Sequence, residues 1–482
     1  MDYIKRKPNV SVVIKRPDYS KSECTEYEIV KFVSYEVSQK DKDKAKSKAK
    51  GAANYNALSD AMISYSYTES LYNVDSPFSM TLTPEEDSAG LTWIDKIALM
   101  DLVFIEEFGV VRYVGLVHQA RYSARMGQDG PSRTIMISGS GFGSLLKSFG
   151  LVMDPRLWLG KIADLENLHL KAELLADSSV KDLMDKFYDN FMTIVFSKPD
   201  GAFTQAVMKT LIEKYINKDE IAKDYKTLRP LVAGLYQTGV NNIWDMWGKV
   251  MPAPYCELFG RWDSTDGTDG TDGKYKIFAR RAPFEAADWA GLKPDKVDIP
   301  AIVLTDYDIG YDDSEVFTAF FATASTMGIT ETMSMVLDGF KIDVPVDEGK
   351  WTKYGYRPLM TDIKFMKRDG EKGDGIPGAL KEISGRMKEW YSKNDEFLSG
   401  TISLVSIDDK DVMKYPVVGS KVGFLGGEFY VEQIERKWSY GDSPRTSLKV
   451  TRGYLYTSSG EPSKAIDNLG KRLKEMENNS GA

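Results

Sequence analysis

The sequence predicts an α+β fold that is mainly β: two related β-barrels in one chain with a helical insertion between them. Three observations predict it. A strand–turn–strand passage is written twice, once near each end of the chain. The segments around both copies carry the period-two or continuous β-branched and aromatic character of strands. Between them, over residues 155–250, the apolar residues change to helical spacing.

The first copy runs Tyr113-Val114-Gly115-Leu116-Val117, turns through Asp129-Gly130-Pro131-Ser132-Arg133-Thr134 and leaves as Ile135-Met136-Ile137-Ser138-Gly139. The second runs Tyr430-Val431-Glu432-Gln433-Ile434, turns through Gly441-Asp442-Ser443-Pro444-Arg445-Thr446 and leaves as Ser447-Leu448-Lys449-Val450-Thr451-Arg452-Gly453. Each carries an aromatic before its turn (Tyr122, Trp438), then a Pro and an Arg-Thr pair opening the return strand. Strand and turn chemistry is a small menu, and the second copy is shorter, so chance likeness of two hairpins is the competing reading.

Residues 1–150 read as the first barrel, with strands at Val10–Ile14, Tyr27–Val33, Ser64–Thr68 and Leu102–Ile105. Within it the Lys-rich run 39–50 reads as a solvated loop. Residues 151–254 read as the helical insertion, without β pattern. Val180, Leu183, Met184, Phe187 and Phe191 share one helical face, and Phe203, Val207, Leu211, Ile212 and Tyr215 share another. Residues 255–330 read as a hairpin-rich connecting domain. There Tyr255–Phe259 and Tyr275–Arg281 are joined by Thr-Asp-Gly repeats at a flexible tip. Residues 331–455 read as the second barrel, broken by one helix whose stripe is Leu380, Ile383, Met387 and Trp390. Its strands are Gly400–Val405, Lys421–Leu425 and the second copy. Residues 456–482 read as a polar C-terminal tail, at most helical.

The totals narrow the function. At 482 residues the chain has room for several domains, and 42% apolar residues suffice for their cores. A net charge of −8 disfavours a tight grip on nucleic acid but suits a surface past which DNA slides. The cysteines, Cys24 and Cys256, are too isolated for a disulfide framework or a zinc site. No apolar signal core follows Met1, and no run of about eighteen apolar residues suggests a membrane span, so the expectation is synthesis and folding in a cytoplasm.

No residue earns a catalytic assignment, and none is assigned to a cofactor or a metal. His118 and His169 lack a nucleophile or cysteine at motif spacing and read as ordinary satisfied or exposed histidines. Gly139-Ser140-Gly141-Phe142-Gly143 has the glycines of a nucleophile elbow but not its serine position, and no Lys-Ser or Lys-Thr makes it a phosphate loop. Its glycines mark the turn that ends the first barrel. The Asp residues of the Thr-Asp-Gly repeats recur every third position without a distal Glu, unlike a calcium loop. Paired carboxylates for glycoside hydrolysis cannot be singled out among 71 acids.

Several motifs resemble a known family. Trp93–Ile97, Asp101–Ile105 and Tyr113–Val117 look like the first β-barrel of phage baseplate hub proteins. Leu258-Phe259-Gly260 with Lys276–Phe284 resembles the hairpin and proline-aromatic turn of that family, and Asp306–Gly310 and Glu315–Thr318 follow in its order. Lys353–Leu359 matches its tyrosine-glycine-arginine element. Ser399–Gly453 is similar to the C-terminal barrel of the late control protein D group. The Lys-rich loop and the Thr-Asp-Gly triplets depart from the pattern.

The resemblance implies two tube-like barrels per chain and a homotrimer that presents a ring of six, adapting a six-fold tail tube to a three-fold spike. It implies a structural hub of a phage tail or phage-like contractile injection machine, not an enzyme, that lines the channel with a mildly acidic wall. The implied partners are the tail tube protein, the central spike protein, other baseplate proteins and the tape measure protein, with DNA as passing cargo. The implied location is the virion tail baseplate, after synthesis in the bacterial host cytoplasm. The alternative of another class is a tail-associated wall-degrading enzyme or soluble β-rich hydrolase.

Overall fold

This computed structural model describes residues 10–18, 25–33, 55–57, 61–86, 89–127, 130–148, 151–153, isolated helical positions between 181 and 192, 207–219, 239–251, 253–264, 273–283, 296–323, 344–362, 375–406, 415–456 and 462–463. The first strands are β1 (Val10–Pro17), β2 (Glu26–Val33), β3 (Tyr55–Ala57) and β4 (Met62–Ser70). They are followed by β5 (Pro77–Leu82), β6 (Leu102–Glu107), β7 (Val110–Gly127) and β8 (Gly130–Gly141). Short strands β9 (Leu151–Met153), β10 (Ile216–Asn217) and β11 (Gly239–Asn241) precede the hairpin β12 (Cys256–Asp263) and β13 (Lys274–Arg281). Then come β14 (Val297–Asp298), β15 (Leu304–Gly310), β16 (Ala319–Thr323) and β17 (Pro358–Asp362). The last are β18 (Leu398–Val405), β19 (Lys421–Phe424), β20 (Gly427–Ser439), β21 (Arg445–Tyr456) and β22 (Pro462–Ser463).

Fifteen strands join in one sheet whose path runs β15-β18-β21-β20-β4-β5-β8-β7-β6-β1-β2-β3. The order β4-β5-β8-β7-β6 is reproduced, with every neighbour antiparallel, as β15-β18-β21-β20-β19. The turns into the long strands agree as well. Phe108 and Gly109 (φ 53° and 76°) join β6 to β7, and Leu425 and Gly426 (φ 54° and 67°) join β19 to β20. Positive φ at both central residues is the type I′ requirement, which matches the strand twist. Tyr113 and Tyr430 each follow these turns at the same offset, paired with Ile105 and Lys421. The bulges differ: His118 is the extra residue in β7 and Glu432 in β20.

Alternation curls each half around its own core. Val12, Phe32, Tyr65, Met80, Val103, Tyr113 and Ile137, from β1, β2, β4, β5, β6, β7 and β8, meet in one buried cluster. Val422, Val431, Ile434, Ile402, Leu404, Leu448 and Val450 form the second with Phe259 and Phe278 of the hairpin. Strands far apart along the path therefore share a core, yet no ring of strands closes among the described residues. The physical reason lies in β4. Its second edge, which closure of the first half would need, is given to β20 over Ser64–Ser70 and Gln433–Ser439. The expectation of two barrels thus becomes two curled halves of one continuous, mainly antiparallel sheet.

A third cluster lies on the outer face. There Leu102, Phe104 and Leu116 pack with Met184, Tyr188, Leu211, Ile212, Tyr215 and Trp247 of the insertion. The expected helical stripe at Leu211, Ile212 and Tyr215 is buried in this way within Val207–Tyr215. The expected absence of strands in 151–254 needs correction, because β10 pairs with β13 and β11 with β9. Among the described residues the second half has two α-helices rather than the one expected, Glu348–Tyr354 and Gly375–Tyr391. On the latter Leu380, Ile383 and Met387 are buried, while Trp390 lies against the Arg452 guanidinium at 4.4 Å. In the tail, β22 pairs with β21. Phe203, the Lys-rich run 39–50 and the Thr-Asp-Gly tip 265–272 lie outside the described residues.

Candidate functional site

The polar face of the sheet crosses eight strands, from β15 to β7, without interruption at the junction of the halves. Residues directly opposite in neighbouring strands share a face, so the register lists its rows. One row is Lys437–Ser66–Ser79–Ser138–Gln119. A second is Ser439–Ser64–Thr81–Met136–Arg121. A third links Thr68, Glu435, Ser447, Ser403 and Asp306, and a fourth links Lys449, Thr401 and Asp308.

Each of these side chains is partly or fully exposed, whereas strand neighbours such as Tyr65, Tyr67, Met80, Ile137, Ile402, Trp438 and Leu448 are buried. The hydroxyls bond within the face, as Ser66 and Ser79 do at 3.0 Å. Cations (Arg121, Lys437, Lys449) and acids (Glu435, Asp306, Asp308) are interspersed, so the face is mixed in charge. A groove of 470 Å³ opens on it, lined by Asp312, Glu315, Glu432, Glu435, Lys449 and Arg452 among others. Short hydroxyls and balanced charges make up most of this face, with Met136 the apolar residue of the four rows.

Beneath the face, a buried ionic seam holds the halves together. Arg436 of β20 is 4% exposed and Glu107, at the end of β6, is 0% exposed. The Arg436 Nη1 lies 3.7 Å from Glu107 Oε2, and Tyr65 of β4 donates to Glu107 Oε1 at 2.8 Å. Arg436 Nη2 donates to the Pro416 carbonyl at 3.2 Å. Arg112 stacks on the Tyr415 ring at 3.5 Å, and Arg436 faces the same ring at 5.2 Å. Burial works against the Arg436 charge, yet Tyr67, Glu107 and Glu69 hold its pKa above the ordinary value. Burial lowers the pKa of Arg112, and the Arg436 charge adds to the effect.

The hairpin β12–β13 clamps the seam from the second side. Arg280 donates to Glu257 at 2.9 Å, to Tyr430 Oη at 3.0 Å and to the Gly419 carbonyl at 3.1 Å. Tyr430 donates to Glu257 Oε1 at 2.7 Å. Arg261 donates to the Val418 carbonyl, and burial pushes its pKa down to about 10. Glu69 of β4 accepts from the Trp262 backbone N–H at 3.1 Å. Buried charges from both halves and the hairpin thus face one another, which lowers the cost of burying them, although Glu107 Oε2, Arg436 Nε and Arg112 Nε make no hydrogen bond among the described residues.

Burial raises the pKa of Glu69 above its ordinary 4.5, against the pull of the Trp262 N–H, Arg436 and Arg261. A carboxyl raised in the folded state contributes stability that is full below its unfolded pKa and lost as pH rises through the folded one. Against Glu69→Gln, wild type should therefore lose relative stability as pH rises from about 4 toward neutrality. Denaturant midpoints of both proteins across that range check this. A difference that does not vary with pH contradicts it.

The residues weighed in the sequence fall in structural places. His118 is the exposed bulge residue of β7, and His169 lies outside the described residues. Gly139 allows β8 to approach β7, since a Cβ there would sit 1.8 Å from the Leu116 carbonyl oxygen. Ser140 is paired within the sheet with Leu116 and Pro77. Cys256 is buried at the start of β12. Among the described residues, no group of three or more His, Cys, Asp or Glu is placed to hold a metal ion, and no helix is long and apolar enough to cross a membrane.

The seam escaped the sequence reading although a signal existed. Arg436 stands in core phase between Ile434 and Trp438, Glu69 after Tyr65 and Tyr67, and Glu107 after Val103 and Ile105. A charge on the buried phase of a strand points to an ionic partner.

No family model matches the chain, and no curated protein matches it in sequence. Among solved structures it is similar to the tail protein from Neisseria meningitidis MC58, with TM-score 0.47 and 12% identity over 92% of this chain and 97% of that one. It is similar to the 43 kDa tail protein of prophage MuSo2 from Shewanella oneidensis, with TM-score 0.46 and 11% identity over 92% and 97%. A chain of the phage P2 baseplate in its activated conformation with Ca aligns at TM-score 0.29 and 9% identity, over 92% and 98%.

Proposed function

We propose that the chain is a structural baseplate hub of a phage tail or phage-like contractile injection machine. In this reading it is not an enzyme. Three copies build a ring of six half-units that joins the tail tube to the central spike and lines the channel between them. The observation that carries the reading is the hydroxyl-rich, charge-balanced face running unbroken over both repeated units through the β4–β20 junction. A channel wall needs such a face to be wide, hydrated and rigid, and the ionic seam beneath it supplies the rigidity. The motif resemblance at Trp93–Ile97, Lys353–Leu359 and Ser399–Gly453 supports the same reading.

The neighbours in this reading are the tube, the spike, other baseplate proteins and the tape measure protein, with DNA as cargo. The site of action is the tail baseplate, after synthesis in the bacterial host cytoplasm. The 1–150 region contributes one tube-like wall unit and the 331–455 region, joined by β15, the other, while 151–254 and the β12–β13 hairpin buttress them from outside. Light scattering on the purified chain tests the assembly. A stable mass near three times 54.1 kDa is expected. A monomer that clears a cell-wall suspension contradicts it and favours the hydrolase.

A further inference from the structure

Four buried polar atoms of the ionic seam have no hydrogen-bond partner among the described residues: the Tyr67 hydroxyl, Arg436 Nε, Arg112 Nε and Glu107 Oε2. They belong to one corner of the fold. Tyr67 of β4 stands directly opposite Arg436 of β20 across the junction of the halves, which puts both side chains on one face. Arg112 of β7 and Arg436 face the same Tyr415 ring, at 3.5 and 5.2 Å. Tyr67 is 1% exposed and Arg436 4%, so neither group can turn toward water. Buried polar groups left in this way point to a partner.

The four atoms do not call for the same partner. Glu107 Oε2 is an acceptor, and its charge is met by Arg436 Nη1 at 3.7 Å. The other three carry an N–H or an O–H, so what they lack is an acceptor. Burial raises the Tyr67 pKa well above its ordinary 10, which keeps the hydroxyl a donor. The charges agree. Two guanidinium groups meet one carboxylate here, since none lies within ion-pairing distance of Arg112 among the described residues. Glu69, the next carboxyl, accepts from the Trp262 N–H and is held toward its protonated form by burial. Arg436 lowers the pKa of Arg112 beyond what burial does, the mark of a repulsion left standing.

We infer that the corner between Tyr67, Arg112 and Arg436 binds a small monovalent anion of the size of chloride, which accepts from the Tyr67 hydroxyl, Arg112 Nε and Arg436 Nε. Charge-assisted bonds to two guanidinium groups favour an anion over a neutral acceptor, and the ion offsets their mutual repulsion. Arg112 is partly exposed, which leaves the ion a way in. Its three partners lie on β4, β7 and β20, so the ion ties both halves together at their junction. The inference stands independently of the hub reading.

The test melts the wild-type chain at constant ionic strength while chloride or bromide replaces gluconate stepwise. Either halide is expected to raise the midpoint by about 1–2 °C along a saturable curve, as a ligand bound by the folded state does. Tyr67→Phe removes one donor and no charge, and it is expected to lose most of that shift. Arg112→Gln is expected to lose all of it. Crystals grown in bromide should show an anomalous peak within hydrogen-bond reach of Arg436 Nε, a readout that needs no variant. A midpoint that follows ionic strength alone, or a halide shift that both variants keep in full, overturns the anion. So does a scatterer at the corner without anomalous signal, which is water.

Discussion

Replacing Arg436 by Met should destabilise the fold by about 3–5 kcal/mol, because it leaves Glu107 charged, buried and without its cation. Arg436 is 4% exposed and Glu107 0% exposed, so neither charge can be relieved by turning toward water. The carboxylate would keep only the Tyr65 hydroxyl, and the Pro416 carbonyl would lose the Arg436 donor. The loss extends beyond one strand, since Arg436 sits on the β20 edge that meets β4. Adding Glu107→Gln to Arg436→Met should recover about 1–3 kcal/mol of the loss, because the amide oxygen still accepts from Tyr65 while the stranded charge is gone. Denaturant midpoints of the two single variants and the double variant give the coupling directly. Strictly additive losses would mean that the seam is two independent contacts.

The second large effect is steric. Gly139→Ala should cost about 3 kcal/mol or more, at the upper end of what overpacking does. The added Cβ meets the Leu116 carbonyl oxygen at 1.8 Å and a Phe78 ring carbon at 2.8 Å. The first contact is backbone, so relief requires β7 and β8 to separate where Val117 pairs with Gly139. Gly248→Ala is the matched control: its Cβ would have nothing within 4 Å, and it lies in the helix Ile243–Val250. There the change should stabilise by about 0.5–1 kcal/mol through helix propensity. Thermal melts of both variants decide the matter. If Gly139→Ala melts with wild type, the close approach of β7 and β8 is not what that glycine is for.

Much of the fold was legible locally. The Tyr-Val and Arg-Thr pairs gave away the repeat because they sit at fixed offsets around turns, where side-chain chemistry is restricted. Phe108-Gly109 and Leu425-Gly426, the type I′ turns that make the repeat geometric, lay beside them unread. β5 was missed although Phe78, Met80 and Leu82 alternate inward, because the run is short and begins at a proline. The pairing of β4 with β20 had no local signal at all. It joins Tyr67 to Arg436 and Tyr65 to Trp438, and only packing selects such distant partners. For the same reason the charged residues of the seam looked like surface charge, and the polar face could not be assembled row by row until the register was known.

Cryo-electron microscopy of the purified, assembled chain tests the central claim most directly. The expected image is a ring of three chains with pseudo-six-fold symmetry and an open central channel. Its wall should carry the Ser66–Ser79–Ser138 row, with the Arg436–Glu107 seam behind it. A ring that turns this row outward, or a chain that remains an isolated globule under all assembly conditions, would contradict it.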